Sequence, residues 1–243
     1  MDDLKKGYCL VLSGGGAKGV YHLGVWKALR ELGIEVEAFI GTSIGAVIAG
    51  LLAQDGDDSL DDLGDSITVD SIIALPETFT EEGKIAIGRD SLSKAQELFR
   101  SVMGNKGLDT SPLRKLLASR IDEAEIRGSG KDLGIVTINL SNFKPREMFI
   151  EEMEEGTVID YLMASAAFPG FHQPFIEGKK YMDGGIFDNI PYGMARQRGY
   201  RHIIVSDISG LGWNRRPEIE GVSPFISRTR STWEESSIST AIS

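Results

Sequence analysis

The distribution of apolar and polar positions predicts two strand–helix units near the start of the chain. Residues 7–13 form a short apolar run bounded by glycine, which is typical of a buried strand. Residues 20–33 place apolar side chains at helical spacing. Residues 36–40 and 46–54 repeat this order of strand and helix. Because strands that alternate with helices pair in parallel, the pattern predicts an α/β fold.

The second half of the chain continues the mixture of strands and helices. The same patterns predict helices over 110–121 and 157–168 and strands over 133–141, 146–150 and 201–207. No internal repeat or low-complexity linker separates these segments, so we expect one domain. Its fold class is α/β, with a mostly parallel central sheet flanked by helices.

Residues 54–107 lack this regularity and resemble an insertion over the α/β core. A helix is predicted among them over 91–103. Ten acidic residues lie between Gln54 and Glu82, without Lys or Arg, so the net charge of −10 is concentrated there. Scattered apolar residues lead to the hypothesis of a lid or membrane-facing cap, and these are Ile72, Ile73, Leu75, Phe79, Ile85 and Ile87. The acidic residues argue against contact of this segment with anionic lipid.

The composition of the chain indicates the compartment in which we expect the protein. The longest apolar run, residues 45–53, is far shorter than the roughly 20 residues of a membrane-spanning helix. The first residues have no apolar stretch typical of a secretory signal. Cys9 is the only cysteine, which excludes a disulfide within one chain and suits a reducing compartment. We therefore expect a cytoplasmic protein that attaches to membranes, where it contacts them, only peripherally.

A glycine-rich turn with the sequence GGGAKG, residues 14–19, joins the first predicted strand to the first helix. Glycine lets the backbone approach a ligand closely, and N–H groups at the start of a helix bind anions. The turn also matches the G-x-G-x-x-G pattern of dinucleotide sites, with Glu35 or Glu37 as the acid for the ribose. By itself the turn is compatible with either use.

A second motif, GTSIG at residues 41–45, also joins a predicted strand to a predicted helix. This is the context of a nucleophile turn of the G-x-S-x-G type. Gly41 and Gly45 would remove side chains where a sharp bend clashes, and Ser43 would lie at a helix N-terminus, where negative charge is favoured. The alternative is that Ser43 is an ordinary helix cap.

A third motif contains Asp183, which is followed by two glycines. An acid on a rigid, glycine-flanked turn can serve a serine nucleophile as its base. The alternative is an Asp-Gly turn that closes a hairpin. The chain has three histidines, and none has a triad-like signature: we expect His22 and His202 to be structural and His172 to lie on a loop.

Taken together, the three motifs resemble those of the patatin-like phospholipase family, in its bacterial-type form. The family has a glycine-rich loop near its N-terminus, a G-x-S-x-G sequence shortly afterwards and a D-G-G or D-G-A sequence far downstream. The resemblance covers residues 7–208, includes 54–107 as a variable segment, and leaves 209–243 as a C-terminal extension. This chain departs from many members at Ser13, where they have Asp, and at Lys18, where they have Arg.

The resemblance implies a three-layer sandwich that hydrolyses carboxylic acyl esters of lipids through an acyl-enzyme. Ser43 would be the nucleophile and Asp183 its base, without a histidine between them. The oxyanion hole would be formed by the amides of Gly14, Gly15 and Gly16. The residues expected to support the motifs are Lys18, Gly19, Gly41, Gly45, Gly184 and Gly185. No metal, cofactor or nucleic acid is implied, and the partner would be a lipid at a membrane or micelle surface.

Two other classes of function remain open from the sequence. An acyltransferase would use the same acyl-enzyme with an acceptor other than water. A non-catalytic module would either bind nucleotides through the glycine-rich turn or bind lipids on the same fold, and it would leave Ser43 and Asp183 without a role.

Overall fold

The computed structural model describes residues 5–54, 80–81, 84–85, 107–209 and 226–228. The predicted insertion over 54–107, with its helix at 91–103, lies almost entirely outside these residues, and so does most of the extension over 209–243. The hypothesis of a lid or cap and the domain boundaries therefore stay predictions.

The described secondary structure mixes strands and helices along the whole chain. The strands are β1 (Lys5–Leu12), β2 (Val36–Thr42), β3 (Thr80–Glu81), β4 (Lys84–Ile85), β5 (Asp132–Asn139), β6 (Lys144–Phe149), β7 (Phe175–Ile176), β8 (Lys179–Asp183), β9 (Tyr200–Asp207) and β10 (Ile226–Arg228). The helices are α1 (Val20–Glu31), α2 (Ile44–Ala53), α3 (Ser111–Arg120), α4 (Glu123–Gly128), α5 (Val158–Ser165) and α6 (Tyr192–Gln197). Short 3₁₀ turns cover Gly16–Gly19, Ile150–Glu152 and Gly184–Ile186. The strands and helices predicted within these residues are present, with ends shifted by a few positions.

The main sheet has the strand order β10-β9-β1-β2-β5-β8-β7, and β6 also pairs with β5. The strands from β10 to β5 in this order are parallel to their neighbours. The pairs β5–β6, β5–β8 and β7–β8 are antiparallel. The prediction of a mostly parallel central sheet is confirmed.

Helices cover both faces of the sheet because its strands direct successive side chains to opposite sides. In β1, Leu10 and Leu12 join a core with residues of α1 to α5. Cys9 and Val11 belong to a second core that contains Met194 of α6. Every residue of α2 is buried, which explains why this helix is apolar on all sides. The predicted three-layer arrangement is confirmed.

Two strands approach each other end to end along one edge of β5. β2 pairs with this edge as far as Thr42, which lies opposite Val136. β8 runs in the opposite direction, and its last residue, Asp183, lies opposite Thr137. β6 occupies the other edge of β5 over the same stretch. The residue that follows β2, Ser43, therefore meets the residue that ends β8.

Candidate active site

Ser43 occupies the sharp turn between β2 and α2. Its backbone angles are φ 57° and ψ −129°, a conformation that an L-residue adopts only under strain. The Ser43 N–H donates a hydrogen bond to the Ser165 hydroxyl at 2.9 Å, and that hydroxyl donates to the carbonyl of Val136 at 2.6 Å. The Ser43 side chain makes no capping hydrogen bond to α2. The interpretation of Ser43 as an ordinary helix cap is therefore wrong.

Gly41 and Gly45 are required by the close packing of this turn. A Cβ on Gly41 would lie 2.3 Å from the carbonyl carbon and oxygen of Gly45. A Cβ on Gly45 would lie 2.3 Å from the carbonyl oxygen of Leu12 at the end of β1. Since backbone atoms cannot move aside cheaply, only glycine fits at either position. The two glycines bring β1, β2 and the start of α2 together beneath Ser43.

Asp183 contacts Ser43 directly. The Ser43 hydroxyl donates to Oδ2 of Asp183 at 2.6 Å, a short bond of the kind that carboxylates accept. Oδ1 of the same carboxylate accepts from the N–H of Gly185 at 2.7 Å. Only 4% of Asp183 is exposed, and its own N–H donates to the carbonyl of Ala167. Both carboxylate oxygens are held, so the side chain has a single orientation toward the serine.

Burial raises the pKa of Asp183 above its ordinary value, because it disfavours the charged form. The hydrogen bonds from Ser43 and Gly185 act in the opposite direction but offset burial only in part. A carboxylate with a raised pKa accepts a proton from an alcohol more readily. The environment of Asp183 therefore suits a general base.

The glycines after Asp183 adapt the chain to this site. A Cβ on Gly184 would lie 2.4 Å from the carbonyl oxygen of Val136 in β5. A Cβ on Gly185 would lie 3.0 Å from Oδ1 of Asp183 and 2.9 Å from the side-chain oxygen of Asn189. The chain continues into a 3₁₀ turn and then α6, and β8 pairs with the strand before it. The interpretation as an Asp-Gly turn that closes a hairpin is therefore wrong.

The glycine-rich turn lies against the serine, and Gly14 is its point of attachment. A Cβ on Gly14 would lie 3.1 Å from Cβ of Ser43. The Gly14 N–H donates to the carbonyl of Asn189 at 3.3 Å, and the Asn189 side-chain amide donates back to the Gly14 carbonyl at 3.2 Å. We expected Gly14 to contribute to the oxyanion hole. This expectation needs correction, because its N–H points to Asn189.

Gly15 and Gly16 open the 3₁₀ turn beside the serine. The first N–H groups of a helical segment have no acceptor within it, so they are available to an anion. Gly16 has a φ of +60°, and a Cβ on it would meet nothing within 4 Å. A Cβ on Gly15 would lie 2.6 Å from the side chain of Ile208, and one on Gly19 would lie 2.4 Å from that of Ile44. Gly15 and Gly19 are thus packed, whereas the space around Gly16 is open.

Lys18 and His22 hold the glycine-rich turn to the end of β9. The Lys18 amine donates to the carbonyl of Ile208. His22 is fully buried, with Nε2 at 2.9 Å from the Ser13 carbonyl and Nδ1 at 2.7 Å from the Ser206 hydroxyl. Because a carbonyl only accepts, Nε2 carries the proton and Nδ1 accepts from Ser206. Burial lowers the pKa of His22 to about 4, so the ring is neutral near pH 7.

The other two histidines are exposed. His202 packs its ring against Tyr8 at 5.3 Å, and His172 lies on the loop predicted for it. In the described part of the chain, the hydrogen bonds of Ser43 and Asp183 involve none of the three histidines.

Three polar residues around the site were not identified from the sequence. These are Ser165, which holds the Ser43 N–H, Asn189, which holds Gly14, and Thr42, whose hydroxyl donates to the carbonyl of Asp188 at 2.9 Å. Ser165 is a fully buried serine at the end of the apolar helix α5, which is the one available signal. All three residues act through backbone groups that are distant in sequence, and no local pattern reports such contacts.

The dinucleotide interpretation does not fit the structure. Glu35 and Glu37 lie at the beginning of β2, at the end of the sheet opposite the glycine-rich turn. The Glu37 carboxylate accepts instead from the N–H of Gly7 at 3.2 Å. Over residues 5–54 and 107–209, no cluster of His, Cys, Asp and Glu is suited to hold a metal ion. Among the helices that the structure describes, none is long and apolar enough to span a bilayer.

Known proteins are similar in sequence to most of this chain. The profile of the family described as patatin-like phospholipase matches residues 10–196. The patatin-like phospholipase domain-containing protein ZK370.4 of Caenorhabditis elegans is 31% identical over 206 residues, which cover 83% of this chain and 14% of that protein. The lysophospholipase NTE1 of Kluyveromyces lactis is 28% identical over 207 residues, which cover 83% of this chain and 12% of that protein. This chain therefore spans only a small part of the relatives it matches.

A solved structure with a similar fold is the crystal structure of VipD from Legionella pneumophila. The superposition has a TM-score of 0.55 and covers 87% of this chain and 51% of that chain, with 20% sequence identity. At this identity the similarity concerns the fold alone.

Proposed function

This chain belongs to the patatin-like phospholipase family, and we propose that it is a lipid acyl hydrolase whose nucleophile is Ser43 and whose base is Asp183. The observation that carries the proposal is the 2.6 Å hydrogen bond between the Ser43 hydroxyl and Asp183, at a strained turn. Strained backbone of this kind concentrates at active sites.

In the first step, Asp183 takes the hydroxyl proton while the Ser43 oxygen attacks the carbonyl carbon of an acyl ester. The carbonyl π bond opens, and a tetrahedral intermediate with a negatively charged oxygen forms. When this intermediate collapses, the bond to the alcohol breaks, and the alcohol leaves with the proton held by Asp183. The acyl group then remains on Ser43 as an ester.

The negative oxygen of the intermediate is placed at the N–H groups of Gly15 and Gly16. One donor of this kind contributes on the order of 3 kcal/mol to transition-state stabilisation. Gly14 has a different role in the proposal, since its N–H and carbonyl both engage Asn189 and fix the position of the turn. The positive N-terminal end of α2 adds to the field at Ser43.

In the second step, Asp183 removes a proton from a water molecule, and the resulting hydroxide attacks the acyl-Ser43 ester. The bond between Ser43 and the acyl carbon breaks, and the serine oxygen recovers the proton from Asp183. The products are the free fatty acid and the original enzyme. Neither step needs a metal ion or a cofactor.

The substrate class follows from the family. Several similar proteins are named lysophospholipases, and the family name itself refers to phospholipids. We therefore infer that the substrate is a glycerophospholipid or lysophospholipid with a carboxylic ester. Location in the cytoplasm and peripheral attachment to membranes belong to the same proposal.

Reaction with a fluorophosphonate probe, followed by peptide mass mapping, tests the proposal. We expect labelling at Ser43 in the wild type, none in Ser43→Ala, and a rate reduced by about 10²–10⁴-fold in Asp183→Asn, which is the usual contribution of a general base. Ser119→Ala removes an exposed serine on α3 and is the matched control, which should label like the wild type. Labelling of Ser43 that persists at the full rate in Asp183→Asn would assign the base to another residue. A folded wild type that is never labelled would contradict the proposed nucleophile.

A further inference from the structure

Two hairpins, β5–β6 and β7–β8, extend beyond Ser43 at the end of the sheet where this serine lies. β2 ends opposite the middle of β5, and β5 runs on to Asn139 before the chain turns back into β6. β8 runs beside this extension, where the N–H of Leu140 donates to the carbonyl of Lys180 at 2.9 Å. At a rise of about 3.3 Å per residue, the tips of the β5–β6 and β7–β8 hairpins lie roughly 15 Å beyond the nucleophile.

Each hairpin exposes a phenylalanine near its tip. Phe143 is 77% exposed, and Phe175 is 68% exposed. Phe143 also has a φ of +52°, a conformation that favours glycine or asparagine. A large apolar ring at a strained and solvated position gains little from the fold itself. The ring is therefore available for contact with something outside the chain.

Basic side chains accompany these rings. Phe175 pairs directly with Lys180 across the β7–β8 hairpin, so the two side chains project from the same face. One acid, Glu177, lies in the same hairpin and accepts a hydrogen bond from the Tyr161 hydroxyl at 3.3 Å. The exposed lysines of the two hairpins are Lys144, Lys179 and Lys180. We call Phe143, Lys144, Phe175, Lys179 and Lys180 the hairpin surface.

Further apolar side chains are exposed close in the chain to residues that contact or precede the catalytic pair. Phe168 follows Ala167, whose carbonyl accepts the N–H of Asp183, and Ile186 and Phe187 follow the Asp-Gly-Gly motif. All three side chains are more than half exposed. The apolar surface therefore includes the immediate neighbours of Asp183 as well as the hairpin tips.

We propose that the hairpin surface docks the protein on an anionic lipid bilayer, with Phe143 and Phe175 in the headgroup boundary and the three lysines against lipid phosphates. Aromatic rings that are flanked by lysines are typical of the membrane interface, where each group finds a suitable depth. The lysines are attracted to anionic lipid only at close range, which fits their position at the tips. The purpose of this docking rests on the proposed function, because a surface beside Ser43 would present the catalytic site to lipid.

Vesicle sedimentation tests the docking in the Ser43→Ala background, where no turnover changes the membrane. The probes are vesicles of phosphatidylcholine alone and of phosphatidylcholine mixed with phosphatidylserine. The two test variants are Phe143→Ser with Phe175→Ser, and Lys144→Gln with Lys179→Gln and Lys180→Gln. We expect the parent to bind the mixed vesicles more tightly than the neutral ones and each test variant to lose at least about tenfold in affinity.

Two substitutions at the opposite end of the sheet serve as controls. Leu32 is 73% exposed at the end of α1, and Arg201 is exposed near the beginning of β9. Leu32→Ser and Arg201→Gln should bind vesicles like the parent. With Ser43 restored, the hairpin variants should label with fluorophosphonate at the wild-type rate, since none of their positions is in the catalytic machinery.

The outcomes separate docking from catalysis. Loss of vesicle binding in both test variants, with binding retained in the controls, supports docking even where Ser43 is unreactive. Equal binding to both vesicles, or binding that survives the hairpin substitutions, overturns the proposal. Absence of vesicle binding also overturns it, and self-association that disappears in the phenylalanine variant would then assign the surface to a second copy of this chain.

Discussion

Ser43 and Asp183 lie in different environments, and each suits the role proposed for the residue. Ser43 is held at a strained turn whose N–H is fixed by Ser165. Asp183 is relaxed at the end of a strand, but its carboxylate is almost completely buried. The strain directs the serine oxygen out of the helix, and the burial makes the acid a stronger base. In the proposed mechanism, the environment of the carboxylate compensates for the absence of a histidine between the two residues.

The pH dependence of the reaction should reflect the raised pKa of Asp183. In the proposed mechanism only the ionised carboxylate accepts the Ser43 proton, so kcat/KM should fall as the pH decreases through the pKa of Asp183. Because burial raises this pKa, we expect the acidic limb above the ordinary value of about 4 for an aspartate. A pH–rate profile with a water-soluble ester measures it. An acidic limb at or below the ordinary value would contradict the effect of burial.

The same burial predicts a conflict between activity and stability. A carboxyl group whose pKa is higher in the folded than in the unfolded state favours folding below its unfolded pKa, and this advantage is lost as the pH rises through the folded value. Asp183→Asn keeps an acceptor for Gly185 and removes the charge. We therefore expect this variant, which should also have lost activity, to have a higher free energy of unfolding at pH 7 than the wild type, measured by urea denaturation. Equal stability at pH 7 would show that the buried charge is fully compensated.

At the scale of elements, the order of strands and helices was predictable, but the pairing that forms the site was not. The glycines at 41 and 45 predict a tight strand–helix turn from local sterics alone. In contrast, β8 pairs with the same edge of β5 just beyond the end of β2. The contact that results, between Ser43 and Asp183, joins residues 140 positions apart in sequence. The short elements α4, α6 and β7 lack enough residues to display a period. Gly14 could not be assigned correctly, because its partner Asn189 is 175 positions away in sequence.

The packing of the serine turn predicts a large difference between two Gly→Ala substitutions. Gly45→Ala places a Cβ 2.3 Å from the carbonyl oxygen of Leu12, so we expect a loss of about 2 kcal/mol or more in the free energy of unfolding. Gly24 lies in the middle of α1, where a Cβ would meet nothing within 4 Å. Gly24→Ala should therefore stabilise the protein by about 0.5–1 kcal/mol. Urea denaturation of both variants measures the two changes in the free energy of unfolding. Equal changes would contradict the close contact at Leu12.

At the scale of the whole molecule, the site joins three segments that are far apart along the chain. The glycine-rich turn follows β1, the serine follows β2, and the aspartate ends β8. Hydrogen bonds connect the segment that begins at Asp183 to each of the other two: Asn189 to Gly14, Asp188 to Thr42, and Asp183 to Ser43. Opening of any one segment would separate the proposed nucleophile from its proposed base or oxyanion donors, so the candidate site depends on the cooperative fold.

This arrangement predicts that occupying the proposed oxyanion hole stabilises the entire fold. Phosphonylation of Ser43 places a phosphoryl oxygen where Gly15 and Gly16 can donate to it, which adds a link between the segments after β1 and β2. Each hydrogen bond to such an oxygen contributes about 1.5 kcal/mol or more, and we expect the Tm of the labelled protein to rise by about 3 °C or more. Differential scanning calorimetry of the wild type before and after complete labelling measures this, and Ser43→Ala treated with the same probe should show no change. A fully labelled protein with an unchanged Tm would mean that Gly15 and Gly16 do not reach the oxygen, and the oxyanion donors would then have to come from another part of the chain.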